Sequence, residues 1–318
     1  MPNHTASSTE LTEVYQRLAA HYTALAERES ARGAAGYARL DKEREQCLQL
    51  MKNCLNSRLW QEVQDLAGAI NGYLDLRGWW TEKLVSLEMN LHAAQQTGDR
   101  KDEGWCLNSL GYTCERCREQ EMALSCYEQG LTIYQELDDR EGAGVILNNI
   151  AAIYQQQGKY EQALELYQHS LSIRREIGDR KGEGATLMNI GMLYRQQGHN
   201  ETALTYCEQS LPIHREVKDK IGEGSNLNNI ATIYRAQGNL AKAVEYYEQA
   251  LALRQQLGDR AGEAVTRWNI GATSGDFAKA EEYISQSVQI AKTIGHPSLE
   301  KFRKGLERVR KKRQEASL

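Results

Sequence analysis

Proline, phenylalanine and long apolar runs are scarce in this 318-residue chain. It has three prolines, and two phenylalanines against sixteen tyrosines. No stretch approaches the roughly 18 consecutive apolar residues that a membrane helix needs, so a membrane partner is not expected. The first residues, MPNHTASSTELTEV, lack the apolar centre of a secretory signal. Seven cysteines, an odd number, fit reduced thiols better than a disulfide framework. Both features point to a cytoplasmic protein. A net charge of −4 is small for this length and speaks against nucleic acid as a partner. No G-x-x-x-x-G-K-[S/T] occurs, which excludes a P-loop in the chain. The seven histidines show no metal spacing and none stands convincingly beside a Ser or Cys nucleophile. No cofactor, metal or catalytic constellation is therefore expected, and the chain reads as non-enzymatic.

What is present is helix-forming composition and a repeat. Ala, Leu, Glu, Gln and Arg are frequent and alternating β-branched runs are missing, which indicates an all-α fold. Asp99, Asp139, Asp179, Asp219 and Asp259 recur every forty residues, mostly within a Gly-Asp-Arg triplet. The register holds downstream. One column reads Leu110, Ile150, Ile190, Ile230, Ile270, and the next Gly111, Ala151, Gly191, Ala231, Gly271. Further columns are Ala123, Ala163, Ala203, Ala243 and Leu131, Leu171, Leu211, Leu251.

Each unit reads as a helical hairpin. The loop Asp is a good N-cap, and its carboxylate suits the positive end of the helix that follows. In the second unit, helix A is expected over about 141–157, ended by Gly158, and helix B over about 160–177. The small columns at Ala151 and Ala163 allow close helix approach, with Tyr154, Tyr194 and Tyr234 filling the remaining gap. Pro212 lies within a helix B, where it removes a backbone bond and should kink the helix. A lone hairpin cannot cover its apolar faces, so the units must stack.

These columns resemble the tetratricopeptide repeat (TPR), clearest in LNNIAAIYQQQGKYEQALELYQHSL (147–171) and LNNIATIYRAQGNLAKAVEYYEQAL (227–251). The family's usual unit has about 34 residues. The longer unit is similar to repeats of kinesin light chains and of the C-terminal sensor arrays of bacterial STAND-type ATPases. The resemblance implies a right-handed superhelix, an α-solenoid of antiparallel helix pairs with a concave groove. The organisation expected is a disordered N-terminus (1–9), a helical cap (10–57), a degenerate TPR-like unit (58–97), five units over 98–297 with the last shortened, and a basic capping helix (298–318). Trp79 and Trp80 in the degenerate unit read as core filling or as exposed anchors.

On a helical wheel, the arc of helix A away from the apolar stripes carries Met188, Asn189, Met192 and Arg195. In TPR arrays this arc lines the inner surface. Its columns contain Asn108, Asn148, Met188, Asn228, Trp268 and Ser109, Asn149, Asn189, Asn229, Asn269. An amide offers donors and an acceptor, which suits the backbone of an extended peptide. Each such bond contributes on the order of 1 kcal/mol, so several in series are needed. Tyr112, Met188, Met192, Arg195, Arg235 and Trp268 would select side chains. Arg195 and Arg235 share a column with Glu115 and Gln155, and the arginines favour acidic features in the ligand. The same amides also suit a structural role between neighbouring helices, and both roles can coexist.

Cys114 and Cys117 form C-x-x-C near Cys106 and Cys126, a pattern that raises zinc. Against zinc, Cys114 and Cys126 fall in core columns, the motif lies within a helix, and Cys207 reads as core on the same logic. The Gly-rich joint is acidic, which opposes phosphate. The function expected is a non-catalytic scaffold for a protein or extended peptide. The alternative is a regulatory arm related to STAND ATPases, acting through oligomerisation or effector control. Homo-oligomerisation is left open.

Overall fold

The structure, a computed structural model, describes residues 8–293, 296 and 298–316. Residues 1–7 of the expected disordered tail lie outside this set, as do Gly295, Pro297 and residues 317–318. Among the described residues there are fifteen α-helices and no strand. None of the helices is long and apolar enough to cross a membrane.

The chain divides into two compact units, Met1–Gln157 and Gly158–Leu318. The first contains α1 (Ser8–Ala31), α2 (Ala34–Asn56), α3 (Trp60–Arg77), α4 (Trp80–Thr97), α5 (Arg100–Arg116), α6 (Gln120–Glu136) and α7 (Arg140–Gln156). The second contains α8 (Tyr160–Glu176), α9 (Arg180–Gln196), α10 (Asn200–Glu216), α11 (Lys220–Ala236), α12 (Leu240–Leu257), α13 (Arg260–Thr273), α14 (Phe277–Thr293) and α15 (Leu299–Glu315). Helix A of the expected second unit is α7 and its helix B is α8, each within a residue of the expected bounds. The expected tail ends earlier, because Ser8 and Thr9 begin α1. α10 runs through Pro212 as one helix.

Within each unit, consecutive helices pack as neighbours and bury one face of each. In the first, Ala26, Met51, Leu66 and Leu74 join one core across α1 to α3, with Trp79 packed against it. Arg44 places its guanidinium 3.8 Å from the centroid of the Trp79 ring. In the second, Ala203, Ile230, Ala231, Ala243 and Tyr247 form one buried cluster. The small column does set a close approach, but the side chain that fills it comes from helix B. A Cβ on Gly111 would stand 2.6 Å from a ring carbon of Tyr127, and one on Gly191 would stand 2.8 Å from the Cys207 sulfur. Tyr194 and Tyr234 instead stack on helix-B rings, Tyr206 and Tyr246, at 5.5 Å in each case. Tyr194 is only half-buried.

The joint between hairpins explains why the Gly-Asp-Arg motif recurs. Asp99, Asp139, Asp179, Asp219 and Asp259 each cap the helix that follows, accepting from the N–H three residues on at 2.8–3.1 Å. A capped N–H at this position removes one of the four donors that a helix start leaves unpaired. The second oxygen of Asp179 takes the Arg174 guanidinium at 3.2 Å, and that of Asp219 faces Nδ1 of His214 at 3.1 Å. Glycine follows because space is short: a Cβ on Gly222 would lie 2.3 Å from the His214 ring.

A buried glutamate completes the joint. Glu183 accepts from Arg175 of the preceding helix at 2.8 Å and pairs with Arg180 of its own. Glu223 repeats this with Arg215 and Lys220, both at 2.8 Å. Glu263 does so with Gln255, Arg260 and Arg267. Burial alone would raise the Glu223 and Glu263 carboxyls, but the cations and amide beside them outweigh it and hold both below the usual carboxylate range. A depressed folded-state pKa contributes stability above the unfolded value, and that stability is lost as pH falls through the folded one. The double variant Glu223→Gln/Glu263→Gln should therefore lose less stability than the parent between about pH 5 and pH 3. Chemical denaturation across that window measures it, and equal acid sensitivity of the two proteins would remove the carboxylates from this role.

Candidate functional site

The amide columns lie on the helix-A series, α5 and α7 in the first unit and α9, α11 and α13 in the second. In the first unit Asn108, Asn148, Asn149 and Gln155 are half-buried, and Tyr112 is exposed. In the second, Met188, Asn189, Met192, Arg195, Asn228, Asn229, Arg235, Trp268 and Asn269 are all half-buried. Each residue projects from the arc opposite the buried stripe of its helix, where Leu187, Ile190 and Leu193 of α9 are buried.

The amides bond to one another between neighbouring A helices. Asn149 Nδ2 donates to Asn108 Oδ1 at 3.0 Å, and Asn269 Nδ2 donates to Asn228 Oδ1 at 3.1 Å. Gln156 extends the pattern: its Nε2 donates to Glu115 Oε1 at 2.7 Å, and its Oε1 accepts from Gln120 Nε2 at 3.1 Å. The structural role of the column is thus realised at these rungs. A rung uses one donor of one amide and one lone pair of the other, out of two donors and two lone pairs in each group.

Arg195 has its Nε buried without a hydrogen-bond partner. Trp268 has one face of its ring engaged within the chain. Its ring stacks on Phe302 of α15 at 5.1 Å and packs against the buried cluster of Ala264, Ile290 and Phe302. That side of the ring is committed to the capping helix. Tyr112 lies 5.1 Å below the Lys83 ammonium, which is itself buried and held 2.7 Å from Asp75. Lys83 was not foreseen, because only the fold brings α4 beneath α5.

The cysteine reading also changes in part. Cys114 and Cys207 are buried and Cys126 is half-buried, while Cys117 sits exposed at the C-cap of α5 rather than within the helix. Burial pushes the Cys114 thiol up to about 11 and that of Cys207 to about 12, so both stay protonated at neutral pH. Among the described residues no three His, Cys, Asp or Glu side chains converge as a metal set.

Residues 142–216 and 223–295 match the family model of the tetratricopeptide repeat. These residues are TPR units. Solved TPR and related structures share the fold. BtubC (BKLC) from P. vanneervenii is 24% identical, with a TM-score of 0.56 over 68% of this chain and 92% of that one. A STAND protein with a TPR sensor, from Pyrococcus horikoshii, is 17% identical with a TM-score of 0.59 over 96% of this chain. This chain spans 50% of the length of that protein. A Rap protein complexed with competence and sporulation factor is 14% identical, with a TM-score of 0.64 over 96% of this chain and 99% of that one. No curated protein matches at a significant level.

The rungs make a stability prediction. Asn149→Ala removes a half-buried bond that water can replace, and should cost about 1 kcal/mol or less. Asn226, fully buried and donating to the Cys207 carbonyl at 2.9 Å, has no such replacement, and Asn226→Ala should cost about 1–3 kcal/mol. Denaturant midpoints of the two variants check the order, and a larger loss for Asn149→Ala would make its column a buried structural element.

Proposed function

We propose that this TPR chain is a non-catalytic scaffold that holds an extended peptide or protein segment along the helix-A face of its repeats. The observation that carries the reading is the combination on α9 and α11 of half-buried amides (Asn189, Asn228, Asn229), methionines (Met188, Met192) and the arginines Arg195 and Arg235, with the buried Nε of Arg195 lacking an acceptor. Amides can bond a peptide backbone in register, methionines adapt to varied side chains, and an arginine short of an acceptor favours an acidic group. In the first unit Asn108, Tyr112, Asn148, Asn149 and Gln155 offer the same amide and aromatic chemistry. The Rap protein of similar fold is complexed with competence and sporulation factor, which supports ligand binding on such a framework. Buried neutral thiols suit a reducing cytoplasm.

A second reading, a regulatory arm that acts by oligomerisation or effector control, draws on the likeness to the STAND protein. It also draws on an exposed apolar stripe on α1, formed by Leu11, Val14 and Leu18.

The first reading is tested by selecting random displayed peptides on the full chain and measuring affinity for the enriched sequences. Asn189→Ala/Asn229→Ala should leave the melting temperature nearly unchanged and weaken binding by at least about tenfold, as expected for two lost bonds. Enrichment of acidic residues should disappear with Arg195→Gln/Arg235→Gln. Unchanged affinity in the amide variant would remove these columns from recognition.

A further inference from the structure

The first unit contains a cavity of about 470 Å³ walled by α3, α4 and the start of α5. Its chemistry is rich in acceptors. Asp65, Asp99 and Asp102 line it, against one ammonium, that of Lys101, which is exposed. Each carboxylate takes a bond from the protein: Asp65 from Gln61 Nε2 at 2.9 Å, Asp102 from Gln64 Nε2 at 2.8 Å, and Asp99 from the Asp102 N–H at 3.0 Å. Asn90, which also lines the cavity, is 1% exposed. Its Nδ2 stands 3.0 Å from the Cys106 sulfur, and the amide bonds the Asp102 carboxyl. Its Oδ1 is buried and takes no hydrogen bond. A buried acceptor left without a donor is a cost to folding. It is a useful feature in a site whose ligand brings N–H groups.

The wall is equally specific. Trp105 stands in a column otherwise filled by Val145, Ala185, Ser225 and Val265. It is the one large aromatic among small residues there, half-buried against the cavity. At Gly68, on the facing helix, a Cβ would meet nothing within 4 Å, so the mouth is open. A flat aromatic wall with three carboxylates and an unpaired amide acceptor among its lining residues matches a guanidinium. That group stacks on an aromatic face and donates five N–H bonds in one plane. A lysine ammonium would gain less from the indole and reach fewer of the acceptors.

We propose that this cavity is a subsite for an arginine side chain of the bound peptide. The source of the arginine rests on the peptide-binding reading, whereas the affinity of the cavity for a guanidinium does not. Burial raises the Asp102 carboxyl above the ordinary range, assisted by the charge of Asp99. The protein thus keeps a carboxylate where its charge is unfavourable until a cation arrives, so Asp102→Asn should not lower the melting temperature.

Isothermal titration of the full chain with N-acetylargininamide tests the proposal. Saturable binding on the order of 1 mM is expected for a single side chain. It should weaken at least about tenfold in Asp102→Asn, as for a lost charge-assisted bond, and should fall with added salt. It should also weaken in Trp105→Ala. The citrulline analogue, of the same shape but uncharged, should bind at least about tenfold more weakly. Asn189→Ala/Asn229→Ala, in the other unit, should leave the titration unchanged, which separates this subsite from the amide columns. Absence of saturable binding, equal binding of the citrulline analogue, or no effect of Asp102→Asn would overturn the subsite. Tighter binding of free arginine than of the blocked amide would overturn its assignment to a peptide side chain.

Discussion

The repeat depends on its joint. Each chain reversal between one hairpin and the next must be made the same way, or the columns that align in sequence would not align in space. Asp179 and Asp219 do this with two oxygens, one for the helix start and one for the last turn of the helix before. Glu183, Glu223 and Glu263 then tie the end of one helix to the start of the next. Buried ion pairs of this kind contribute little net stability, because desolvation offsets much of the attraction. Their value is geometric, since a carboxylate taken from water is tolerated only where its cations meet it. The packing of small residues against helix-B side chains, at Gly111 with Tyr127 and Gly191 with Cys207, follows once that register is set.

The register also decides what the exposed arc can do. Asn149 and Asn108 are separated by 41 residues, as are Asn269 and Asn228, and each pair meets at a hydrogen bond. Repetition of the joint therefore places amides within reach of each other, and the groups that bond between helices are those proposed to hold the peptide. An amide held by its neighbour is pre-oriented, so less rotamer entropy remains to be lost when a peptide bonds to it.

Much of this was legible in the sequence. The forty-residue columns placed α7 and α8 to within a residue, because caps, apolar period and terminal glycine all agreed. The half-buried arc was legible for the same reason. What stayed hidden needed contacts between helices. The small column showed that something must approach closely, but not that Tyr127 rather than Cys114 would fill it. The sequence showed Glu183 and its equivalents only as part of an acidic joint, not that the fold would bury them. No column reports that α15 returns to stack Phe302 on Trp268. Trp105 was the visible exception, a large ring in a column of small residues, yet its cavity depends on α3 and α4 as well.

The central claim is that the helix-A arc is the recognition surface. Photo-cross-linking tests it most directly, with a selected peptide carrying a benzophenone and the attachment points mapped by mass spectrometry on the full chain. The account predicts adducts on the arc residues of α9 and α11, Met188 and Met192 foremost. Adducts confined to exposed helix-B positions such as Thr205 and Gln249, or to α15, would contradict it.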